Sequence, residues 1–331
     1  GGIGASSNLG VLVKGSNYLE AVAEMTTIVF DKTGTLTKGE FKVSEVLPVN
    51  GSKEELLELS AHVEGYSNHP IANSVREAYG KELDMNRVTG TEEIAGHGIH
   101  TFVDGKEVWL GNAKMMAARN ISYTENSSAG TVIYVAVDGA FAGTIVISDS
   151  IKEGVKEAIH SMKKVGVKKC VMLTGDRKAA AQAVADELGL DEVHAELLPG
   201  DKVSEVEALL KEQHEKEKLA FVGDGINDAP VLTRADIGIA MGSMGSDAAI
   251  EAADVVLMDD DVRKIASLVK IARKTLSIVH QNIVFALGVK AIVLILGAFG
   301  IANMWEAVFA DVGVSVIAIL NSMRTLHIAK K

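Results

Sequence analysis

Residues 27–37 read Thr-Ile-Val-Phe-Asp-Lys-Thr-Gly-Thr-Leu-Thr, an apolar run that ends in an acid and a glycine turn. The run is rich in β-branched and aromatic residues, which predicts a short buried strand over residues 27–30. Asp31 follows at the carboxyl end of that strand, and Gly34 favours a tight turn just beyond it.

Strands and helices alternate along the chain after Asp149. The predicted elements are a helix Ile151–Lys164 with Ser150 and Glu153 as its capping box and Gly166 as its stop, a strand Cys170–Leu173, a helix ending near Leu188, a helix over 201–216 and a strand Leu219–Val222. Such alternation predicts a parallel, doubly wound sheet. Ligands of these sheets bind at the carboxyl ends of the strands.

Three predicted strand ends carry polar residues. The first strand delivers Asp31, the second delivers Thr174 and Asp176, and the third delivers Asp224 and Asp228. A lone Asp-Gly is usually a turn and a lone Thr-Gly-Asp is usually a helix start. The polar residues of all three strand ends are expected at one edge of the sheet, which ordinary turns and helix starts would not explain. Their convergence therefore predicts one shared site.

A carboxylate attacks the terminal phosphate of a nucleotide only when the phosphate charge is neutralised and the groups are aligned. We predict Asp31 as the nucleophile, and Asp31 and Asp224 as ligands of Mg²⁺, which prefers hard oxygens. Asp228 would support them. Thr174 and Lys202 offer a hydroxyl and an ammonium to the phosphoryl oxygens, although Lys202 alone would by default be a solvated helix residue.

Residues 41–147 interrupt this pattern. They begin with a strand Phe41–Val49, a helix opened by the capping box of Ser52 and Glu55, and a helix Ile71–Tyr79 with Pro70 in its first turn. Short alternating runs broken by glycine fill 87–147 and predict an antiparallel sheet. The segment is therefore predicted to be an α+β domain inserted after the first strand.

The last seventy or so residues are strongly apolar. Leu276–Gly300 is long enough to span a membrane and contains only one charge, Lys290. Met304–Met323 is a second candidate, with Glu306 near its start and Asp311 inside. Basic residues flank both stretches at Arg273, Lys274, Arg324, Lys330 and Lys331, which predicts cytoplasmic ends and an outer loop near residues 302–303. Two buried core helices are the alternative.

Composition restricts the function further. The formal net charge is −11 and the mean hydropathy is +0.20. An acidic balance disfavours a nucleic-acid surface and is compatible with handling cations. The only cysteine, Cys170, excludes a disulfide framework and is predicted to be a buried strand residue.

The runs Asp31–Thr37, Thr174–Asp176 and Gly223–Pro230 resemble the signature sequences of P-type ATPases, whose catalytic core is shared with haloacid-dehalogenase-like phosphatases. The resemblance implies that Asn227 also belongs to the catalytic set. Those phosphatases usually carry a second Asp two residues after the nucleophile, as general acid and base. Thr33 occupies that position here, which implies a long-lived aspartyl phosphate. We count Thr33 among the catalytic residues and the Mg²⁺ ligands.

The inserted segment resembles the nucleotide-binding domain of the heavy-metal subgroup. The resemblance implies that Glu64 accepts a hydrogen bond from the adenine amine and that His69 stacks on the purine. The Gly96-His97-Gly98 turn would let backbone approach the nucleotide. Asn68 departs from the Glu that the subgroup often has, and His69 alone would more often be an ordinary surface or capping histidine.

The two apolar stretches resemble the last helices of zinc-, cadmium- and lead-exporting members. This implies that Asp311 is a ligand of the transported metal and that Lys290 is a countercharge that helps to release it. Charges inside a membrane are functional candidates by default, with a purely structural ion pair as the alternative. The soft or neutral groups expected of copper pumps are absent at these positions.

The sequence therefore predicts a juxtamembrane segment over 1–26, a phosphorylation domain over 27–40 and 148–262, a nucleotide-binding domain over 41–147, and a stalk with two spanning helices over 263–331. Neither a Thr-Gly-Glu loop nor a Cys-Pro-Cys site occurs. We expect a carboxy-terminal portion of an exporter that uses ATP and Mg²⁺, with its missing amino-terminal part as partner, in a bacterial cell membrane with cytoplasmic catalytic domains. The competing hypotheses are a membrane-tethered phosphatase, a nucleotide- or metal-binding fragment without transport, and Co²⁺ as cargo.

Overall fold

The computed structural model describes residues 1–126, 128, 130–225, 228–242, 246–300 and 304–325, without the side chains at positions 199, 304, 307 and 309. The chain divides into two compact units. The parallel-sheet unit comprises Gly1–Leu36, Glu153–Gly175 and Ala185–Lys331. The antiparallel-sheet unit comprises Thr37–Lys152 and Asp176–Val184.

Seven strands of the described residues form one sheet in the parallel-sheet unit. They are β1 (Val11–Val13), β2 (Met25–Asp31), β9 (Lys169–Leu173), β10 (Glu192–His194), β11 (Lys218–Gly223), β12 (Ile237–Met241) and β13 (Val255–Leu257). Their order is β1-β13-β12-β11-β2-β9-β10, and every pair is parallel except β1 with β13. The predicted parallel α/β sheet is confirmed, with β2 near its centre.

Helices of the parallel-sheet unit pack on this sheet or extend from it. They are α1 (Gly2–Asn8), α2 (Ser16–Ala23), α6 (Val155–Lys164), α8 (Pro199–Lys211), α9 (Ala229–Arg234), α10 (Asp247–Ala252), α11 (Arg263–Ala298) and α12 (Met304–Met323). A further helix, α7 (Lys178–Leu188), is shared between the two units. Cys170 is fully buried in β9, as predicted.

The antiparallel-sheet unit has six strands among the described residues. They are β3 (Thr37–Pro48), β4 (Val88–Ile94), β5 (Gly98–Val103), β6 (Lys106–Gly111), β7 (Thr131–Val137) and β8 (Ala140–Ile151), in the order β3-β8-β7-β6-β5-β4. Its helices are α3 (Lys53–Val63), α4 (Pro70–Tyr79) and α5 (Ala113–Ala118). The predicted capping box at Ser52 and Glu55 is present, with Pro70 at the start of α4.

Two helix starts differ from prediction. The helix predicted from Ile151 begins at Val155, because β8 continues to Ile151 and pairs there with Thr37. The predicted capping box of Ser150 and Glu153 is therefore wrong. Gly154, with φ +79°, turns the chain into α6 without a side-chain cap.

The helix predicted over 201–216 is α8, Pro199–Lys211. Pro199 begins it, because a proline at the first helical position needs no backbone N–H partner. It ends early because a turn, closed by Glu217 N donating to His214 O at 2.9 Å, leads into β11.

One helix of the described residues is long and apolar enough to cross a membrane, namely α11. This helix runs without a break from the parallel-sheet unit into the predicted span. It begins at Arg263, well before Leu276. The comparable apolar part of α12 is Ala310–Met323, which is shorter. The second span remains a prediction, and the predicted outer loop at residues 302–303 and the basic residues Lys330 and Lys331 lie outside the described residues.

Candidate active site

The carboxyl ends of three neighbouring strands form the candidate site. β2 lies between β11 and β9, with Phe30 opposite Val222 and Asp31 opposite Leu173. Asp31 ends β2, Thr174 follows β9, and Asp224 follows β11. The register of the parallel sheet thus brings together the residues predicted from separate motifs.

Three carboxylates converge at this edge. One oxygen each from Asp31, Asp224 and Asp228 lies within 4.8 Å of the other two. Asp31 and Asp228 are buried. Carboxylate oxygens at this spacing fit a divalent cation such as Mg²⁺, which prefers hard oxygen ligands.

Gly34 makes room for this cluster. It lies in the irregular turn 32–36 after β2, and its φ is +74°. A Cβ at this position would overlap the carboxylate of Asp224. Glycine is therefore required both by the left-handed backbone and by the close approach of Asp224.

Lys202 joins two of the three carboxylates. Its Nζ lies 2.5 Å from Asp31 Oδ1 and 3.1 Å from Asp228 Oδ1. Burial lowers the pKa of Lys202, but Asp31 and Asp228 outweigh burial and hold it above its usual range. The ammonium is therefore a positive charge held beside Asp31, where it could also contact a phosphoryl group bound at this edge of the sheet.

The electrostatics of Asp31 are set by burial. Its pKa is raised to about 6, mainly because burial disfavours the charged carboxylate and also because of the negative charge of Asp228, while Lys202 opposes both effects. Asp224 adds a smaller repulsion. A cation bound by the three carboxylates would favour the ionised, nucleophilic form of Asp31.

Four further residues are predicted to be catalytic, namely Thr174, Thr33, Asp176 and Asn227. Thr174 is buried beside the site, and its backbone N–H donates to His194 O at 3.0 Å. Thr33 is exposed in the turn after β2. Because residue 33 is a threonine, no carboxylate lies two residues after Asp31. Asp176 belongs to the antiparallel-sheet unit, and its role at Asp31 remains a prediction. Asn227 lies outside the described residues.

Glu64 is a buried ionisable group of the antiparallel-sheet unit. It lies in a short 3₁₀ helix, Glu64–Tyr66, and is only 6% exposed. Burial raises its pKa to about 7, and the positive charge of Arg76 lowers it only partly. A buried carboxyl group of this kind is a candidate binding residue.

His69 is the N-cap of α4, with its Nδ1 accepting from Ile71 N at 3.2 Å. The capping interpretation is therefore correct, and the exposed ring keeps its stacking role as a prediction. Gly96 has φ +71° in the turn between β4 and β5. A Cβ at Gly98 would overlap the backbone of Leu110, so β5 and β6 approach closely there.

Sequence reasoning missed two residues that hold these loops. The Arg76 guanidinium donates to the backbone oxygens of Glu64 and Ser67, the latter at 2.6 Å. Asn112 donates from Nδ2 to Gly96 O at 2.8 Å and also caps α5. Asn112 carries a helix-start signal that could have been read from the sequence, whereas Arg76 has no local signal.

A charged pair lies between the two carboxy-terminal helices. Lys290 Nζ on α11 is 3.4 Å from Asp311 Oδ1 on α12. Both side chains line a groove with Val289, Val293 and Val308. The structure thus brings together the two charges that the sequence singled out, and their transport roles remain predictions.

The fold and the site define a class of protein. A parallel α/β sheet presents Asp31 at the end of β2, near the centre of the sheet, with two further aspartates and a lysine around it. The model of the haloacid dehalogenase-like hydrolases matches residues 25–236. The chain belongs to that family.

Relatives narrow the likeness further and confirm the resemblance to heavy-metal P-type ATPases. The chain is 57% identical over 332 residues to a cadmium, zinc and cobalt-transporting ATPase of Bacillus subtilis, covering 100% of this chain and 47% of the relative. It is 54% identical to a zinc-transporting ATPase of Synechocystis, covering 98% of this chain and 45% of the relative. The chain spans about half the length of the curated relatives it matches.

Solved structures agree with these relatives. A zinc-transporting PIB-type ATPase in the E2.Pi state superposes with a TM-score of 0.85 at 39% identity, over 98% of this chain and 54% of that chain. The catalytic domain of the CPx-ATPase CopB-B superposes with a TM-score of 0.63 at 28% identity, over 81% of this chain. The shared fold therefore includes both units and the carboxy-terminal helices.

Proposed function

We propose that this chain is the phosphorylating, nucleotide-binding and carboxy-terminal membrane part of an ATP-driven exporter of divalent heavy-metal cations. The arrangement of Asp31, Lys202 and the two further aspartates, in a chain continuous with a membrane-length helix, carries the proposal. The relatives named for cadmium, zinc and cobalt transport support the cargo class.

The chemistry follows from the positions of the side chains. Asp31 Oδ1 is held by Lys202, so Oδ2 is the oxygen that attacks the terminal phosphorus of ATP. The new Oδ2–P bond forms as the bond from phosphorus to the ADP oxygen breaks, and ADP leaves. Lys202 and Thr174 hold the phosphoryl oxygens during transfer. Mg²⁺, when bound by the aspartates, neutralises phosphate charge.

Thr33 determines what happens next. A carboxylate at that position would deprotonate an attacking water, and a threonine hydroxyl cannot do so at neutral pH. The aspartyl phosphate therefore persists. A persistent intermediate suits an exporter, which must change conformation before the phosphate is released, and it disfavours the tethered-phosphatase alternative.

The antiparallel-sheet unit supplies the nucleotide site in this proposal. Glu64 would accept the adenine amine, His69 would stack on the ring, and the Gly96–Gly98 turn would allow close approach. In the membrane, Asp311 would bind the cation and Lys290 would replace it as the countercharge. The catalytic units would face the cytoplasm of a bacterial cell.

The experiment is a titration of ATPase activity in the full-length protein that carries this chain. Zn²⁺, Cd²⁺, Co²⁺ and Cu⁺ are compared for wild type and Asp311→Ala, with acid-stable phosphoenzyme measured in parallel and Asp31→Asn as its blank. We expect stimulation by divalent cations that Asp311→Ala removes. Copper stimulation that is indifferent to Asp311 would overturn the cargo assignment, and fast phosphate-ester turnover without phosphoenzyme would favour a phosphatase.

Nucleotide binding without any phosphoenzyme, unchanged in Asp31→Asn, would instead support a binding fragment. The Asp31 blank therefore separates a catalytic role from a binding role. The metal titration separates zinc-class cargo from cobalt alone.

A further inference from the structure

Arg273 lies where α11 leaves the parallel-sheet unit. The residues just before it, Ile271 and Ala272, are buried, and the next residue, Lys274, is exposed. Beyond this point Ile278 is the last buried residue of α11. Arg273 is thus at the boundary between the part of the helix packed in the domain and the part that continues into the predicted membrane span.

The Arg273 guanidinium donates to backbone oxygens of three different elements. Nε donates to Ala23 O at 2.9 Å, Nη1 donates to Val165 O, and Nη2 makes a longer contact of 3.4 Å with Met25 O. Ala23 ends α2 and Val165 caps the carboxyl end of α6. Carbonyl oxygens at helix carboxyl ends lack helical partners and carry partial negative charge, so a guanidinium is well suited to bind them.

The third acceptor connects Arg273 to the nucleophile. Met25 is the first residue of β2, and Asp31 is its last. A single strand therefore joins the contact of Arg273 to the phosphorylated position. In the other direction α11 continues without a break to Lys290, roughly 25 Å along the helix at 1.5 Å per residue.

Gly166 supports the same arrangement. It follows α6 with φ +93°, and a Cβ there would lie 2.9 Å from Arg273 Nη1. The backbone is thus shaped to admit the guanidinium. A lysine could reach one of the carbonyls but lacks the planar fork that contacts all three.

We propose that Arg273 is a positioning residue that couples the metal-binding helix to phosphorylation of Asp31, by fixing α11 to the start of β2 and to the ends of α2 and α6. The inference rests on the proposed function. Cation binding near Lys290 displaces α11, and the anchored end of the helix transmits this displacement to β2. Arg273 itself touches neither nucleotide nor cation.

The test measures phosphoenzyme from ATP in the full-length protein that carries this chain, at saturating Zn²⁺ and with a zinc chelator. The quantity of interest is the ratio of the two amounts. Arg273→Gln and Arg273→Lys are compared with Lys270→Gln and Lys274→Gln, which remove exposed positive charges from the same turns. Thermal unfolding confirms that each variant folds.

We expect the ratio to fall by about 5- to 150-fold in Arg273→Gln, the range of ordinary coupling between two sites, with a smaller fall in Arg273→Lys and none in the lysine controls. A merely structural role would lower phosphoenzyme with and without zinc in parallel, and an unchanged ratio would overturn the proposal. Loss of all phosphoenzyme in both variants would also overturn it, because Arg273 would then be needed for the Asp31 site itself. A wild type without zinc-dependent phosphoenzyme would instead refute the proposed function.

Discussion

Replacement of Glu64 by Gln tests the buried carboxyl group of the antiparallel-sheet unit. Glu64 is 6% exposed, and burial raises its pKa from 4.5 to about 7. Ionising it in the folded protein is therefore costlier than in the unfolded chain. A pKa rise of this size corresponds to about 3 kcal/mol, since each tenfold change in an equilibrium is about 1.4 kcal/mol.

The sign of the pH dependence follows from proton binding. Between pH 4.5 and about 7 the folded protein keeps the Glu64 proton and the unfolded chain releases it. The contribution of Glu64 to the free energy of unfolding is therefore fully present below pH 4.5, and it is lost as the pH rises through about 7. Glu64→Gln has no proton to lose. The free energy of unfolding of the variant, relative to that of wild type, should therefore increase by about 3 kcal/mol between pH 4 and pH 8.

Tryptophan fluorescence provides the assay. The sequence contains two tryptophans, so Trp305→Phe leaves Trp109, which is buried in the antiparallel-sheet unit, as the only reporter. Urea unfolding of the full chain in detergent is followed across the pH range in this background. Glu82→Gln, at an exposed position, is the matched control and should follow wild type. Parallel stability curves for wild type and Glu64→Gln would refute the raised pKa.

Three further predictions concern the site around Asp31. Gly34→Ala should reduce phosphoenzyme formation by about 100-fold, because the added methyl group displaces a neighbouring carboxylate; Gly189→Ala, equally left-handed but without close neighbours, is the control. Lys202→Gln removes the charge that lowers the pKa of Asp31, so the acid limb of the phosphorylation pH profile should move to higher pH, and an unmoved limb would contradict this. Thr33→Asp should speed phosphoenzyme decay by about 10²- to 10⁴-fold, which is the usual contribution of a general base. The decay rate of labelled phosphoenzyme is measured after a chase with unlabelled ATP, and an unchanged rate would contradict the prediction.

The sequence predicted the parallel sheet and its converging strand ends well, because Asp31 and Thr174 each follow a strongly apolar run. It did not predict β12 and β13. These strands are short and wholly buried, so they show no alternation, and periodicity cannot distinguish such runs from helix segments. The false capping box at Ser150 arose because the pairing of β8 with β3 overrides a local helix-start signal.

The site was predictable in its residue types but not in its distances. Nothing in the local sequence fixes Lys202, which lies on α8, within reach of both Asp31 and Asp228. Arg273 shows the same limit more clearly. The sequence shows it only as a positive charge that flanks the apolar stretch, because its three acceptors are 108 to 250 residues away along the chain.

The pairing of β3 with β8 has a consequence for the order of folding. Thr37 pairs with Ile151, so the chain enters and leaves the inserted unit at adjacent strands. As an open loop, residues 37–152 would cost about 4 kcal/mol of length-dependent closure entropy before β2 could meet β9. Once residues 37–152 are folded, the pairing of Thr37 with Ile151 holds the two ends of this insert together and removes most of that entropic cost. We therefore expect the insert to fold first during synthesis, so that its stability sets how quickly the sheet around Asp31 is assembled.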